Sequence, residues 1–275
     1  MIRTLSSVEP YRDFIRSFSN DPVFSDPMLA TKAQRQKHLY EVPADPCACL
    51  LGSFAGETLT GLFVFLILEK DRYVQMLAGL TRSRKACAEA LDFLTSRCAG
   101  YGADFVFNPR NAVLRALLKE RGCIMDPEQL RLRWTREVPV SDLSGIFPLE
   151  EPHRARYCAL HSRGVYWTAE RVLAAPERFH VLLALDGGEA VGYLDLHCGK
   201  TEHEIYDLFV AETHRRRGYG KKLLAQAVQI SHSHGLIAVL DADSSAALAL
   251  FSAQGFVPEP GGAMQTARWE IPMAQ

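Results

Sequence analysis

Short apolar runs separated by turn residues organise the second half of the chain. Residues 181–185 and 190–196 are two such runs, and the Asp-Gly-Gly-Glu turn at residues 186–189 predicts that they form a β-hairpin. Residues 205–210 have the composition of another strand, and residues 221–228 have the spacing of an amphipathic helix. The pattern therefore predicts strands that alternate with helices.

A basic turn, residues 215–220, joins the predicted strand to the predicted helix and has the sequence Arg-Arg-Arg-Gly-Tyr-Gly. The N-terminus of a helix presents unpaired backbone N–H groups and roughly half a positive charge. Gly218 and Gly220 have no Cβ that would keep a phosphate away from the backbone. The basic turn therefore predicts a pyrophosphate site.

The basic turn fits neither the Walker loop nor the dinucleotide fingerprint. Its order, Arg-x-x-Gly-x-Gly after a strand, resembles the acyl-CoA pyrophosphate loop of the GNAT superfamily of N-acetyltransferases. After a further predicted strand at residues 238–240, residues 244–256 are similar to the closing segment of that family, Asn-x-x-Ala-x-x-Leu-Tyr-x-x-x-Gly-Phe. Ser244 stands where the family has Asn, and Phe251 stands where it has Tyr. The resemblance covers roughly residues 150–275.

The first half of the chain repeats the second. Gly122 aligns with Gly255 at an offset of 133 residues, and the same offset places Asn111 on Ser244. Opposite the basic turn, however, Lys85 and Cys87 replace both glycines. The resemblance therefore implies an α/β fold of two tandem GNAT-like acyl-CoA acyltransferase domains, each a central mixed β-sheet flanked by helices, of which the first is degenerate.

We expect the degenerate domain at residues 1–137, a linker at residues 138–151, where Pro139, Gly145 and Pro148 break regular structure, and the catalytic domain at residues 152–275. Residues 10–40 predict two short helices, and residues 150–178 predict one or two. In the family, this second helical region borders the acceptor site. The residues there that we consider are Tyr157, His161, Arg163, Tyr166 and Trp167.

Composition narrows the possible functions. The 275 residues carry a net charge of −1, so no global field favours nucleic acid or a membrane. The longest apolar stretch, at residues 59–68, is too short to span a bilayer, and the N-terminus has no signal core. The seven cysteines form no Cys-x-x-Cys pair, so we expect no zinc site and a cytoplasmic location. We also expect a monomer or homodimer.

Two carboxylates are candidates for the base that deprotonates an amine. Glu204 lies eleven residues before Arg215, where the histone-acetylating branch of the family has a glutamate base. Asp207 is the alternative, and three residues along an ideal strand it would face the opposite side. The choice between them stays open. The resemblance also implies a backbone N–H donor for the thioester carbonyl near Phe209 or Val210.

The resemblance implies acetyl-CoA as the cofactor. The residues that we expect to contact it are Phe209, Val210, Arg215, Arg216, Arg217, Gly218, Tyr219, Gly220, Lys221, Ser244 and Phe251. Phe251 has no proton to give to the leaving thiolate, so Ser244, Ser245, Ser252 or a water is a possible substitute. The expected function is acetylation of a primary amine of a small molecule. A non-catalytic acyl-CoA-binding module and a peptide or protein N-acetyltransferase remain alternatives.

Overall fold

The computed structural model describes residues 1–19, 21–135, 142–161, 167–200 and 202–273. Its strands are β1 (Ile2–Thr4), β2 (Ala48–Ala55), β3 (Thr58–Leu68), β4 (Tyr73–Thr81), β5 (Gly102–Phe107), β6 (Ile124–Met125), β7 (Gln129–Trp134), β8 (Ile146–Pro148), β9 (Phe179–Asp186), β10 (Glu189–Cys198), β11 (Glu202–Val210), β12 (Gly235–Asp241) and β13 (Phe256–Glu270). Its α-helices are α1 (Arg12–Arg16), α2 (Lys32–Arg35), α3 (Arg84–Arg97), α4 (Ala112–Glu120), α5 (Arg154–Leu160), α6 (Ala169–Leu173), α7 (Tyr219–Ile230) and α8 (Ser245–Ala253). No helix in these ranges is long and apolar enough to cross a bilayer.

The chain divides into two compact units. Unit 1 contains residues 1–129 and 260–275, and unit 2 contains residues 130–259. The predicted boundaries at residues 137 and 152 differ from this division, because most of β7 belongs to unit 2 and most of β13 belongs to unit 1. The described part of the predicted linker is not a linker, since β8 pairs with β9 through Ile146↔Ala184.

Unit 1 contains a mixed sheet in the order β1-β2-β3-β4-β5-β13, in which only β4 and β5 are parallel. Alternate residues of β3 point to opposite faces of this sheet. Phe63 and Phe65 pack with α3 and α4, whereas Leu62 and Val64 pack with the N-terminal helical segments. Both faces of this sheet are therefore covered.

Unit 2 has a similar arrangement, with its sheet in the order β8-β9-β10-β11-β12-β7, in which β11 and β12 are parallel. The hairpin predicted from the Gly-Gly turn is the pair β9 and β10, and Gly187 and Gly188 both have positive φ, at 57° and 86°. The α7 and α8 helices cover one face, which includes Leu194 and Ile205. The α5 and α6 helices cover the other, which includes Tyr193.

The two units also share an irregularity. In unit 2 a β-bulge leaves Tyr206 without a partner on β10, and in unit 1 a β-bulge leaves Leu77 without a partner on β3. Asn111 and Ser244, which the repeat aligns, each stand at the N-cap of a helix. These correspondences agree with the duplication inferred from the sequence.

Candidate active site

A gap opens between two neighbouring strands of unit 2. β11 and β12 pair over four residues, from Glu202↔Gly235 to Ile205↔Ala238, although both strands continue beyond this point. Residues 206–210 of β11 are all half-buried, and β12 becomes exposed toward Asp241. The bulge at Tyr206 turns β11 away from its neighbour. The backbone that lines the gap is therefore available to a ligand.

The amides that face this gap belong to Leu208 and Val210. Ala211 donates its N–H to the carbonyl of Val191 on β10 at 2.8 Å. Because backbone groups alternate along a strand, Phe209 also faces β10, whereas Leu208 and Val210 face the gap. The register therefore directs the Phe209 amide toward β10, away from the gap, and directs the amides of Leu208 and Val210 toward it.

The basic turn leads directly from the gap to α7. Gly218 has a φ of 91° as the N-cap of α7, and a Cβ placed on it would have no heavy atom within 4 Å. The first helical bond runs from the Lys222 N–H to the Gly218 carbonyl at 3.1 Å, so the N–H groups of Tyr219, Gly220 and Lys221 have no acceptor within the helix. This geometry suits an anion.

The second glycine of the turn has a different role from the first. A Cβ on Gly220 would approach Leu250 Cδ2 at 3.1 Å, so Gly220 permits α7 to pack closely against α8. Gly218 faces open space and is the position where a ligand could approach the backbone.

Cations surround the basic turn. Arg215 donates from Nε to the Val210 carbonyl at 3.1 Å, and Arg217 lies 3.6 Å from the Asp186 carboxylate. Lys222 lies 2.7 Å from Asp142, and this hydrogen bond holds the pKa of the Asp142 carboxyl well below its usual range. The side chains of Arg216 and Lys221, which were expected to contact the cofactor, are both exposed.

The two candidate bases lie on the same face of β11, which corrects the prediction that they face opposite sides. Glu204 pairs with His197, whose ring packs on Phe179 in the cluster under α5 and α6. Asp207 accepts a hydrogen bond at 2.6 Å from Tyr193, a member of the same cluster. The bulge at Tyr206 adds one residue and reverses the alternation after it.

Burial raises the pKa of the Glu204 carboxyl above its usual value, and the nearby Arg131 opposes this shift. A carboxyl with a raised pKa is a better base near neutral pH than an ordinary one. Tyr206 lies on the same face, and its hydroxyl accepts the Trp167 N–H at 3.3 Å. Burial also raises the pKa of Tyr206. The sequence analysis did not consider this hydroxyl, although Tyr206 lies two residues after Glu204 and strand alternation places both on one face.

A buried hydrogen-bonded cluster adjoins these carboxylates. Asp195, directly opposite Asp207 on β10, is fully buried and accepts hydrogen bonds from Tyr157 at 2.9 Å and from His161 Nε2 at 2.8 Å. Burial raises the pKa of Asp195, and the contact with His161 opposes the shift. The helical region predicted to border the acceptor site thus places Tyr157 and His161 beside Asp195. Asp195 escaped the sequence analysis because it lies in an apolar run.

The remaining predicted site residues differ in their packing and burial. Trp167 packs on Phe179 with ring centroids 4.9 Å apart, whereas Arg163 and Tyr166 lie outside the described residues. Ser244 is half-buried at the N-cap of α8. Phe251 is only 2% exposed and packs on Phe256, so it presents almost no surface to a cofactor, contrary to the expectation.

Comparisons with known proteins agree with this geometry. Residues 142–256 match the model of the acetyltransferase (GNAT) family. A GCN5-related N-acetyltransferase from Sphaerobacter thermophilus is 15% identical with a TM-score of 0.65, over 100% of this chain and 96% of that chain. A tandem GNAT protein from the clavulanic acid biosynthesis pathway is 12% identical with a TM-score of 0.54, over 100% and 99% of the two chains. A GNAT-family acetyltransferase from Colwellia psychrerythraea is 12% identical with a TM-score of 0.53, over 98% of each.

Comparison with curated proteins gave no sequence match. At 12–15% identity, the similarity to solved structures establishes the fold, and it extends over the whole chain. The family model assigns the segment that contains the gap and the basic turn to the acetyltransferase (GNAT) family. The chain therefore contains a domain of the acetyltransferase (GNAT) family at residues 142–256, within a fold that it shares with a tandem GNAT protein.

Proposed function

We propose that the protein is an acetyl-CoA-dependent N-acetyltransferase that acetylates a primary amine of a small molecule. The observation that carries the proposal is the gap in unit 2, where the amides of Leu208 and Val210 lead to the open basic turn at Gly218. Backbone donors along one edge and an anion site at its end match a long ligand with amides and a diphosphate.

The residues of this unit fit acetyl-CoA. The N–H groups of Tyr219, Gly220 and Lys221 would hold the diphosphate, with Arg216 and Lys221 adding positive charge. The backbone of Val210 would bond the pantetheine amides, and Leu208 would donate to the thioester carbonyl. The bound cofactor supplies an activated acetyl group.

The carboxylates of β11 would prepare the amine. An aliphatic ammonium has a pKa near 10 and must lose a proton before it can attack. We assign this proton transfer to Glu204, because burial raises the pKa of its carboxyl, and we assign Asp207 to orient the amine. Asp207 is already held by Tyr193, which suits a fixed orienting group better than a mobile base.

The departing thiolate would not need a side-chain acid. Phe251 cannot supply a proton and is buried, and a thiol has an ordinary pKa near 8.5, so its thiolate is a tolerable leaving group. Solvent would protonate it. This step predicts turnover without the tyrosine that the family usually has at that position.

Release of free CoA thiol in the presence of a panel of small amines tests the proposal. We expect turnover with at least one amine, and Glu204→Gln should reduce kcat by at least about tenfold while leaving CoA affinity unchanged. Glu177→Gln, an exposed glutamate of the same unit, is the matched control. Tight CoA binding without turnover would favour a non-catalytic module. Turnover restricted to peptides would favour a peptide or protein acetyltransferase.

A further inference from the structure

Unit 1 contains a cavity of about 650 Å³, within the size range of small-molecule sites. It is lined by apolar side chains and by three charged residues, of which Asp21 is paired with Arg82 at 2.7 Å. The lining residues used below are Phe18, Ser19, Asp26, Leu29, Arg35 and Leu80. Phe18, Leu29 and Leu80 are buried, which gives the cavity rigid apolar walls.

Asp26 is a buried carboxylate without a cation. It is 8% exposed, and its two oxygens accept the N–H of Met28 at 2.8 Å and of Gly79 at 2.6 Å. Among the described residues it forms no ion pair. Buried charges in proteins are normally paired, so a carboxylate at a cavity wall favours a cationic ligand.

The hydrogen bond from Gly79 to Asp26 also distinguishes this cavity from an acyl-CoA site. Gly79 lies two residues after the bulge of β4, as Leu208 lies two residues after the bulge of β11. The Gly79 N–H, however, already donates to the Asp26 carboxylate. The turn that follows is also closed, because Ser83 Oγ accepts the Ala86 N–H of α3 at 3.3 Å. The ligand of this cavity must therefore have a different chemistry.

Arg35 supplies the second charge. A single nitrogen, Nη1, donates to the carbonyls of Leu29 and Ala30 at 2.9 and 3.1 Å, and the guanidinium has no carboxylate partner among the described residues. The other guanidinium nitrogens can bind an anion while Nη1 keeps the side chain in place.

We propose that the unit 1 cavity binds a small α-amino acid with an apolar side chain. The ammonium contacts Asp26, the carboxylate contacts Arg35, and the side chain packs against Phe18 and Leu80. Burial raises the pKa of Asp26 to about 6, so the carboxylate is ionised but poorly solvated at neutral pH, and an ammonium offsets that cost. The site is separate from the proposed transferase site and does not depend on it.

Thermal-shift measurements with the twenty standard L-amino acids, followed by calorimetry on the best, test this proposal. We expect at least one apolar amino acid to bind with a Kd in the millimolar range or below. Its decarboxylated amine and its deaminated acid should each bind at least about tenfold more weakly, because each lacks one charge. Absence of binding for all twenty up to about 10 mM, or equal binding of the amine alone, would refute it.

Variants locate the site. Ser19 is exposed at the cavity, so Ser19→Trp should block binding, whereas Ser17→Trp, exposed but outside the cavity lining, should not. Arg35→Gln should weaken binding at least about tenfold. Binding that survives Ser19→Trp with the fold intact by circular dichroism would refute the location. CoA affinity measured on the same samples reports unit 2 separately, so failure here leaves the transferase proposal untouched.

Discussion

Gly218 adopts a positive φ and leaves space for a ligand to approach the backbone, and replacement by alanine tests these two roles separately. The new methyl would meet no heavy atom within 4 Å, so it causes no clash in the protein itself. A side chain at a φ of 91° nevertheless costs about 1–2 kcal/mol of stability. With a diphosphate present, the methyl would occupy the space through which the ligand approaches the backbone.

The loss of affinity can be worked from the hydrogen bonds at stake. A hydrogen bond to a charged group contributes about 1.5–3 kcal/mol, and about 1.4 kcal/mol corresponds to a tenfold change in affinity. Loss of one amide contact to the diphosphate should therefore raise the Kd for CoA about 10- to 100-fold.

Calorimetric titration with CoA, together with urea unfolding, measures both effects. Gly122→Ala is the matched control, because Gly122 has a φ of 78° and also faces open space, but lies in unit 1 outside the proposed site. We expect similar losses of stability for both variants and a loss of CoA affinity for Gly218→Ala alone. Unchanged CoA affinity in Gly218→Ala would refute the assignment of the phosphate site.

Three further predictions concern buried ionisable groups. Because burial raises the pKa of Glu204, kcat/KM should increase with pH through a limb above the usual glutamate range, and Glu204→Gln should abolish that limb in a pH–rate profile. Substitution His161→Phe removes a hydrogen bond from the fully buried Asp195 and should lower the free energy of unfolding, measured in urea, by roughly 3 kcal/mol. A change below about 0.5 kcal/mol would contradict the hydrogen bond between His161 and Asp195. The Asp26 carboxyl has a folded pKa of about 6 against an ordinary 3.8, so its contribution to stability is complete below about pH 4 and is lost as the pH rises through 6. The wild type should therefore lose about 3 kcal/mol relative to Asp26→Ala between pH 3 and 7, measured by urea unfolding at each pH.

The regular elements and the conformation of the basic turn could be predicted from the sequence because each depends on local residues. The Gly-Gly turn predicted the hairpin, and the position of Gly218 predicted an N-cap with an open approach. The duplication was also visible, since Asn111 and Ser244 both open helices that follow a strand.

The faces and boundaries could not be predicted because they depend on partners distant in the sequence. The bulge at Tyr206 is defined by its pairing with β10, and it places Glu204 and Asp207 on one face where simple alternation separates them. The assignment of β7 and β13 to the two units depends in the same way on which strands they pair with. Asp195 is a single acid within an apolar run, and its burial depends on Tyr157 and His161, which are distant in the sequence.

Hydrogen–deuterium exchange of the whole chain with and without CoA tests the central claim most directly, because each unit provides the control for the other. We predict that CoA slows exchange in peptides that cover residues 207–221, which include the amides of Leu208 and Val210 and the N-terminus of α7. The corresponding peptides at residues 78–87 of unit 1 should not change, since Asp26 already bonds the Gly79 amide. Protection at residues 78–87, or no protection at residues 207–221 at saturating CoA, would contradict the account.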